Sequence, residues 1–227
     1  MSKRYFWVLV VYVINFLSGI VGIPIVHGLV LHFTTLAGKQ AFNQSVVIWN
    51  IVANLITLFV IWLLLRKQPA TDKVLRGTKA SVGMSVVWAV SGVLILFAGQ
   101  VVAGLITQLF MDTPAGSANT EMLTSLTKQA PVLFVFITLI APVIEEIVFR
   151  KVLFGGLTNW MNIHVAAVIS SLFFALGHGD LPFLLVYFSI GLILCFLYTK
   201  TKRITVTIFA HMIMNAIVLL FSLGGVS

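Results

Sequence analysis

Two adjacent carboxylates, Glu145 and Glu146, lie in a stretch (residues 131–149) that otherwise reads as lipid-soluble helix. The chain holds six acidic residues in all. An ionisable side chain at membrane depth costs about 2.5 kcal/mol or more, so such a pair marks a functional site by default. Arg150 follows Glu146 by four residues and shares its helix face, which makes it the economical partner of Glu146 and leaves Glu145 to act alone. Two further constellations have the same one-turn spacing, Phe174 with His178 and His211 with Asn215. The last pair falls well inside an apolar span.

These residue types suit hydrolysis. A carboxylate in an apolar cavity is a competent general base toward a trapped water. A histidine opposite it can share the proton and pass it to a leaving amine, while an imidazole N–H and an asparagine amide can stabilise a tetrahedral oxyanion. The set therefore meets the needs of an amide hydrolase without a Ser or Cys nucleophile. No cofactor is required by that chemistry. The alternative is zinc, with Glu145, His178 and His211 as three ligands around an open position for water. The chain contains no His-Glu-x-x-His helix that would prearrange two such ligands.

The elements that must position these groups are membrane helices. With 60% hydrophobic and 9% charged residues and a mean hydropathy of +1.11, the chain is an integral membrane protein. Its apolar runs are continuous rather than alternating and about 20 residues long, which argues for helices over a β-barrel and predicts an all-α polytopic bundle. Spans are expected at 5–26, 46–65, 82–106, 132–149, 164–178, 183–199 and 204–222. The first resembles a signal peptide in its first half, but it is too long and lacks an Ala-x-Ala site, so an uncleaved helix is expected.

With the N-terminus cytoplasmic, twelve of the fourteen basic residues fall in inner segments, leaving Lys39 and Lys128 outside. The net charge of +8 is scattered between helices, so no nucleic-acid partner is expected. The single cysteine, Cys195, excludes an intramolecular disulfide. Residues 27–44 read as an interfacial segment, and residues 111–130, with Asp112 and Glu121, as an external loop. His27, His32 and His164 read as structural or interfacial, and the tryptophans as lipid-facing or interface anchors. Pro142 cannot donate to the carbonyl of Thr138 and should open the helix beside the carboxylates.

One difficulty concerns depth. His178 lies about 21 Å along its span from His164, whereas Glu145 is about 7 Å from Arg150. Either the Glu145 helix continues past Lys151 into the membrane, or the span ending at His178 begins below the surface.

The ordered trio Glu-Glu-x-x-x-Arg (Glu145, Glu146, Arg150), Phe-x-x-x-His (Phe174, His178) and His-x-x-x-Asn (His211, Asn215) resembles the three motifs of the CAAX protease and bacteriocin-processing family of intramembrane endopeptidases. The likeness covers roughly residues 131–222. It implies a glutamate-type peptidase in which Glu145 and His178 activate water, His211 and Asn215 form the oxyanion site, and Glu146, Arg150 and Phe174 support them. Residues 131–227 would be the catalytic bundle and residues 1–130 a source of substrate specificity. The implied setting is a bacterial cell membrane, with membrane lipid and a peptide or protein substrate as partners, in peptide maturation or bacteriocin immunity. The competing expectation is a non-enzymatic immunity protein or a proton-coupled transporter using the same polar residues.

Overall fold

A computed structural model describes residues 2–67, 72–110 and 116–225. Asp112 lies outside them. The described residues are helical, with six helices long and apolar enough to cross a membrane and one shorter apolar helix. Helix α1 (Lys3–Phe33) and α2 (Gly38–Leu65) form an antiparallel pair. Helix α3 (Val82–Phe110) packs against α7 (Leu184–Thr201) and α8 (Ile204–Leu223). A short helix, α4 (Ala118–Gln129), precedes the span α5 (Val132–Leu157), and α6 (Ile163–Leu176) pairs with α7. The core runs along α5, where Ile144, Val148, Phe149 and Val152 meet Tyr5 and Val8 of α1, Phe174 of α6 and Leu194 of α7.

The all-α polytopic expectation holds, with two differences in extent. At 14 residues, α6 is only about 21 Å long, too short to cross the hydrocarbon core. Conversely, α5 continues past Lys151 to Leu157. A short helix thus leads to His178, and a long one carries Glu145. Helices α1 and α2 also extend through most of the segment expected to be interfacial, to Phe33 and from Gly38.

Residues 118–129 fold as a helix although their Ser and Thr content suggested a loop. Ser117 caps the N-terminus by accepting from the Thr120 amide at 3.2 Å. Thr124 and Thr127 return their hydroxyl protons to the carbonyls of Thr120 and Leu123, both at 2.7 Å, so these hydroxyls do not compete with the ladder.

The basic segments collect at one end of the bundle. There Tyr5 donates to Asp72 at 2.6 Å, Asn159 donates to the same carboxylate at 2.8 Å, and Arg203 Nε donates to the Ala80 carbonyl at 2.6 Å. The opposite end holds α4 and the turn after His178, tied by Ser117 to Asp180. Trp49 departs from the expected lipid-facing role. Its indole N–H donates to Ser18 at 3.1 Å, and its ring lies over Gly22, where a Cβ would overlap it.

Candidate active site

Helix α5 is not regular. Its hydrogen-bond ladder widens to i→i−5 over Phe136–Ile140 and again over Glu146–Phe154, with the carboxylate pair at the junction. Pro142 accounts for the first widening. The Ala141 amide bonds back to Phe136, and the next residue, Pro142, has no amide proton to offer Ile137. The Ile137 carbonyl is thus left over, and Asn215 of α8 donates to it at 3.4 Å. In the second widened segment the Phe149 carbonyl accepts from Ser170 of α6 at 2.7 Å. The irregular backbone is satisfied by neighbouring helices.

Glu146 and Arg150 are fully buried, with Arg150 Nη1 3.2 Å from Glu146 Oε1. The expected i, i+4 pairing is present, but the guanidinium N–H groups do not point along it, and none finds a hydrogen-bond acceptor. The guanidinium instead lies over the face of Phe174, 4.2 Å from the ring centroid. Phe174 is therefore more than a wall. It carries the cation on one face, and the imidazoles of His178 and His211 pack on it with centroids at 4.7 and 5.8 Å.

Glu146 has a second partner that spacing along one helix does not show. His211 Nδ1 lies 2.9 Å from its Oε1, while the other ring nitrogen, Nε2, faces Glu145 Oε2 at 3.7 Å. His211 thus spans the two carboxylates. Nδ1–H donates to Glu146, which fixes the ring plane and leaves Nε2 toward Glu145.

His178 sits one residue beyond the C-cap of α6. Its Nδ1–H donates to the Phe174 carbonyl at 2.8 Å. A carbonyl only accepts, so the ring's lone pair is on Nε2 whenever His178 is neutral. The turn that follows needs Gly179, whose φ of +65° lies in the left-handed region. Helix α6 reaches this position by close packing on α7, because a Cβ on Gly191 would stand 2.7 Å from Ser171 Cβ and 2.9 Å from Ser171 Cα.

Glu145, His178, His211 and Asn215 come from α5, the end of α6 and α8, and all four line one cavity of about 530 Å³. The structure also brings in residues that sequence reasoning passed over, notably Asn15, Asn54, Gln100 and Tyr187. Asn15 donates to Asn54 at 3.3 Å and keeps a buried Oδ1 without a partner. Gln100 donates to the Met214 sulfur at 3.0 Å, a weak acceptor. Their signal was available as carboxamides inside apolar spans. Among the described residues no three His, Cys, Asp or Glu side chains converge as metal ligands. Glu145, His178 and His211, the residues a zinc ion would take, line that same cavity, with His211 between the two carboxylates.

The comparisons with known proteins point to one family. The family model for Rce1-like type II CAAX prenyl endopeptidases matches residues 127–217, which include all seven motif residues. The chain is 33% identical over 230 residues to a Bacillus subtilis (strain 168) protein named "Putative membrane peptidase YdiL", across 100% of this chain and 92% of that protein. It is also 37% identical over 142 residues to "Membrane-embedded CAAX protease MroQ" of Staphylococcus aureus (strain USA300), across 60% of this chain and 58% of that one. No solved structure matches the chain. With six membrane-length helices and bacterial relatives of this kind, the chain is a multi-pass bacterial membrane protein and belongs to the Rce1-like type II CAAX prenyl endopeptidase family of membrane proteases.

Proposed function

We propose that this protease cleaves peptide bonds by a glutamate-type mechanism, without a metal. The observation that carries this reading is that Glu145, His178, His211 and Asn215 line one cavity, with His211 held between the two carboxylates. Glu145 takes a proton from a water, and the resulting hydroxide attacks the scissile carbonyl carbon. His178 Nε2 relays that proton to the leaving amine as the tetrahedral intermediate collapses. Asn215 Nδ2–H and His211 Nε2–H donate to the oxyanion. With Nδ1–H already given to Glu146, His211 can donate from Nε2 only if its ring carries both protons. The carboxylates on either side offset that charge.

Six carboxamide side chains stand on the cavity wall. Carboxamides pair donor to acceptor with peptide main chain, which supports a peptide substrate. The substrate in this reading is a membrane-associated bacterial peptide, processed in maturation or bacteriocin immunity. The basic end of the bundle faces the cytoplasm, in keeping with the charge asymmetry.

The test uses purified protein in liposomes and a library of quenched-fluorescent peptides. Cleavage is expected to fall about 10²- to 10⁴-fold in Glu145→Ala, His178→Ala and His211→Ala, and to be unchanged by 1,10-phenanthroline. Cleavage that survives all three substitutions overturns the site. Chelator-sensitive cleavage, restored by zinc, replaces the mechanism with the metal-assisted one.

A further inference from the structure

The turn carrying His178 is tied to α4 by a closed set of hydrogen bonds that the hydrolytic mechanism does not use. Ser117 Oγ lies 2.7 Å from Asp180 Oδ2 and 2.9 Å from the Tyr187 hydroxyl, and it accepts from the Thr120 amide at 3.2 Å. A serine hydroxyl has one proton and two lone pairs. Its proton goes to the Asp180 carboxylate, which can only accept, so the Tyr187 hydroxyl must donate to Ser117. The Tyr187 oxygen in turn accepts from Asn119 Nδ2 at 3.4 Å, and Asp180 accepts from the Asn119 amide at 3.4 Å. The proton and both lone pairs of the Ser117 hydroxyl are used, and Asp180 is 6% exposed.

The other end of Tyr187 touches the candidate site. Its ring stacks on the His178 imidazole with centroids 3.9 Å apart and planes 21° from parallel. His178 has one hydrogen bond, from Nδ1 to the Phe174 carbonyl. A single bond leaves the ring free to swing about it, and the stack with Tyr187 removes that freedom. Ser117, Asn119, Tyr187 and His178 all stand on the cavity wall.

We propose that Tyr187 is a positioning residue for His178, and that α4 sets it through Ser117 and Asn119, so that the histidine is aligned only while α4 is docked over the cavity. This rests on His178 acting in the hydrolysis proposed above. Docking of α4 and readiness for proton transfer are then one event, and a cavity open at this end holds a misaligned proton relay.

The test measures kcat, KM and the pH dependence of kcat/KM, using the quenched-fluorescent peptide that the wild-type protein cleaves fastest. Tyr187→Phe keeps the stack and loses the hydroxyl, and kcat is expected to fall about tenfold. Tyr187→Leu loses both, and kcat is expected to fall about 10²-fold, the cost of a misplaced catalytic group. In both, KM stays within about twofold. Ser117→Ala should match Tyr187→Phe, and the double variant should be no worse than either single, because both cut one chain of contacts. Tyr187→Leu should also move the limb of the pH profile that His178→Ala removes. Wild-type kcat in Tyr187→Leu, or a loss of kcat with an unmoved pH profile and a lowered melting temperature, overturns the proposal. Undiminished cleavage by His178→Ala overturns instead the reading on which it rests.

Discussion

His211 Nδ1 lies 2.9 Å from Glu146 Oε1, on the same carboxylate oxygen that faces Arg150 at 3.2 Å. Glu146 therefore has two tasks, neutralising a buried guanidinium and orienting an imidazole, and they can be separated. Glu146→Gln leaves Arg150 without a counter-charge in a fully buried position, which should destabilise the fold by about 3–5 kcal/mol. Glu146→Gln with Arg150→Met removes both charges and should recover most of that loss, read as the melting temperature in detergent. Activity should not recover, because the carboxamide oxygen can accept Nδ1–H but carries no charge to stabilise the doubly protonated ring. Recovery of cleavage along with stability would show that the charge of Glu146 serves Arg150 alone.

Much of this site was legible as spacing. A carboxylate and an arginine four apart on one helix announce their own pairing, and Glu146–Arg150 is found as expected. The His211 contact was not legible, because it joins residues 65 apart on α5 and α8, and only the packing of those helices sets it. The depth of His178 was ambiguous for a related reason. An apolar run of 14 residues does not declare whether it reaches both surfaces, and α6 reaches its place through the contact of Gly191 with Ser171. Asn15, Asn54 and Gln100 carry a legible signal as amides in apolar spans, the same signal that marks Asn215. The helix α4 was hidden by its hydroxyl content, since the bonds from Thr124 and Thr127 to their own ladder leave no mark in composition.

The contact of α6 with α7 gives a second prediction. Gly191→Ala puts a methyl 2.9 Å from the Ser171 backbone, so the helices must part rather than a side chain rotate. Overpacking of this kind costs about 1–3 kcal/mol. The shift is carried along α6 to Phe174 and His178, so both melting temperature and kcat should fall. Ser171→Gly in the same chain removes the side-chain clash but not the one with Cα, and should rescue only part of either loss. Full rescue would place the constraint in the serine side chain alone.

Asn15 supplies a third. Its Oδ1 is buried, unpartnered and on the cavity wall, the state of an acceptor waiting for a substrate N–H. An unmade hydrogen bond of this sort costs about 1–3 kcal/mol when its donor is absent. Asn15→Leu should therefore raise KM about tenfold with kcat little changed, and should leave the melting temperature equal or higher. A fall in kcat at constant KM would assign Asn15 to the chemistry instead.

The strongest link between backbone irregularity and chemistry is at Pro142. Because Pro142 has no amide proton, the Ile137 carbonyl is left for Asn215, whose Nδ2 holds it at 3.4 Å. Pro142→Ala supplies the missing N–H within one turn of that carbonyl. The ladder of α5 should then close, and the melting temperature should rise by the equivalent of about 1 kcal/mol, one added intrahelical bond. Asn215 would lose its acceptor and with it a fixed orientation toward the oxyanion. The expected outcome is a more stable protein whose kcat is about tenfold lower at unchanged KM, since an oxyanion donor acts mainly in the transition state. Asn215→Ala should lower kcat about 10²- to 10³-fold in the wild-type background, and about tenfold less than that in Pro142→Ala, because both changes act through the same donor. If Pro142→Ala leaves kcat intact, the opened helix serves only the packing of α5 against α8, and the orientation of Asn215 must come from the substrate itself.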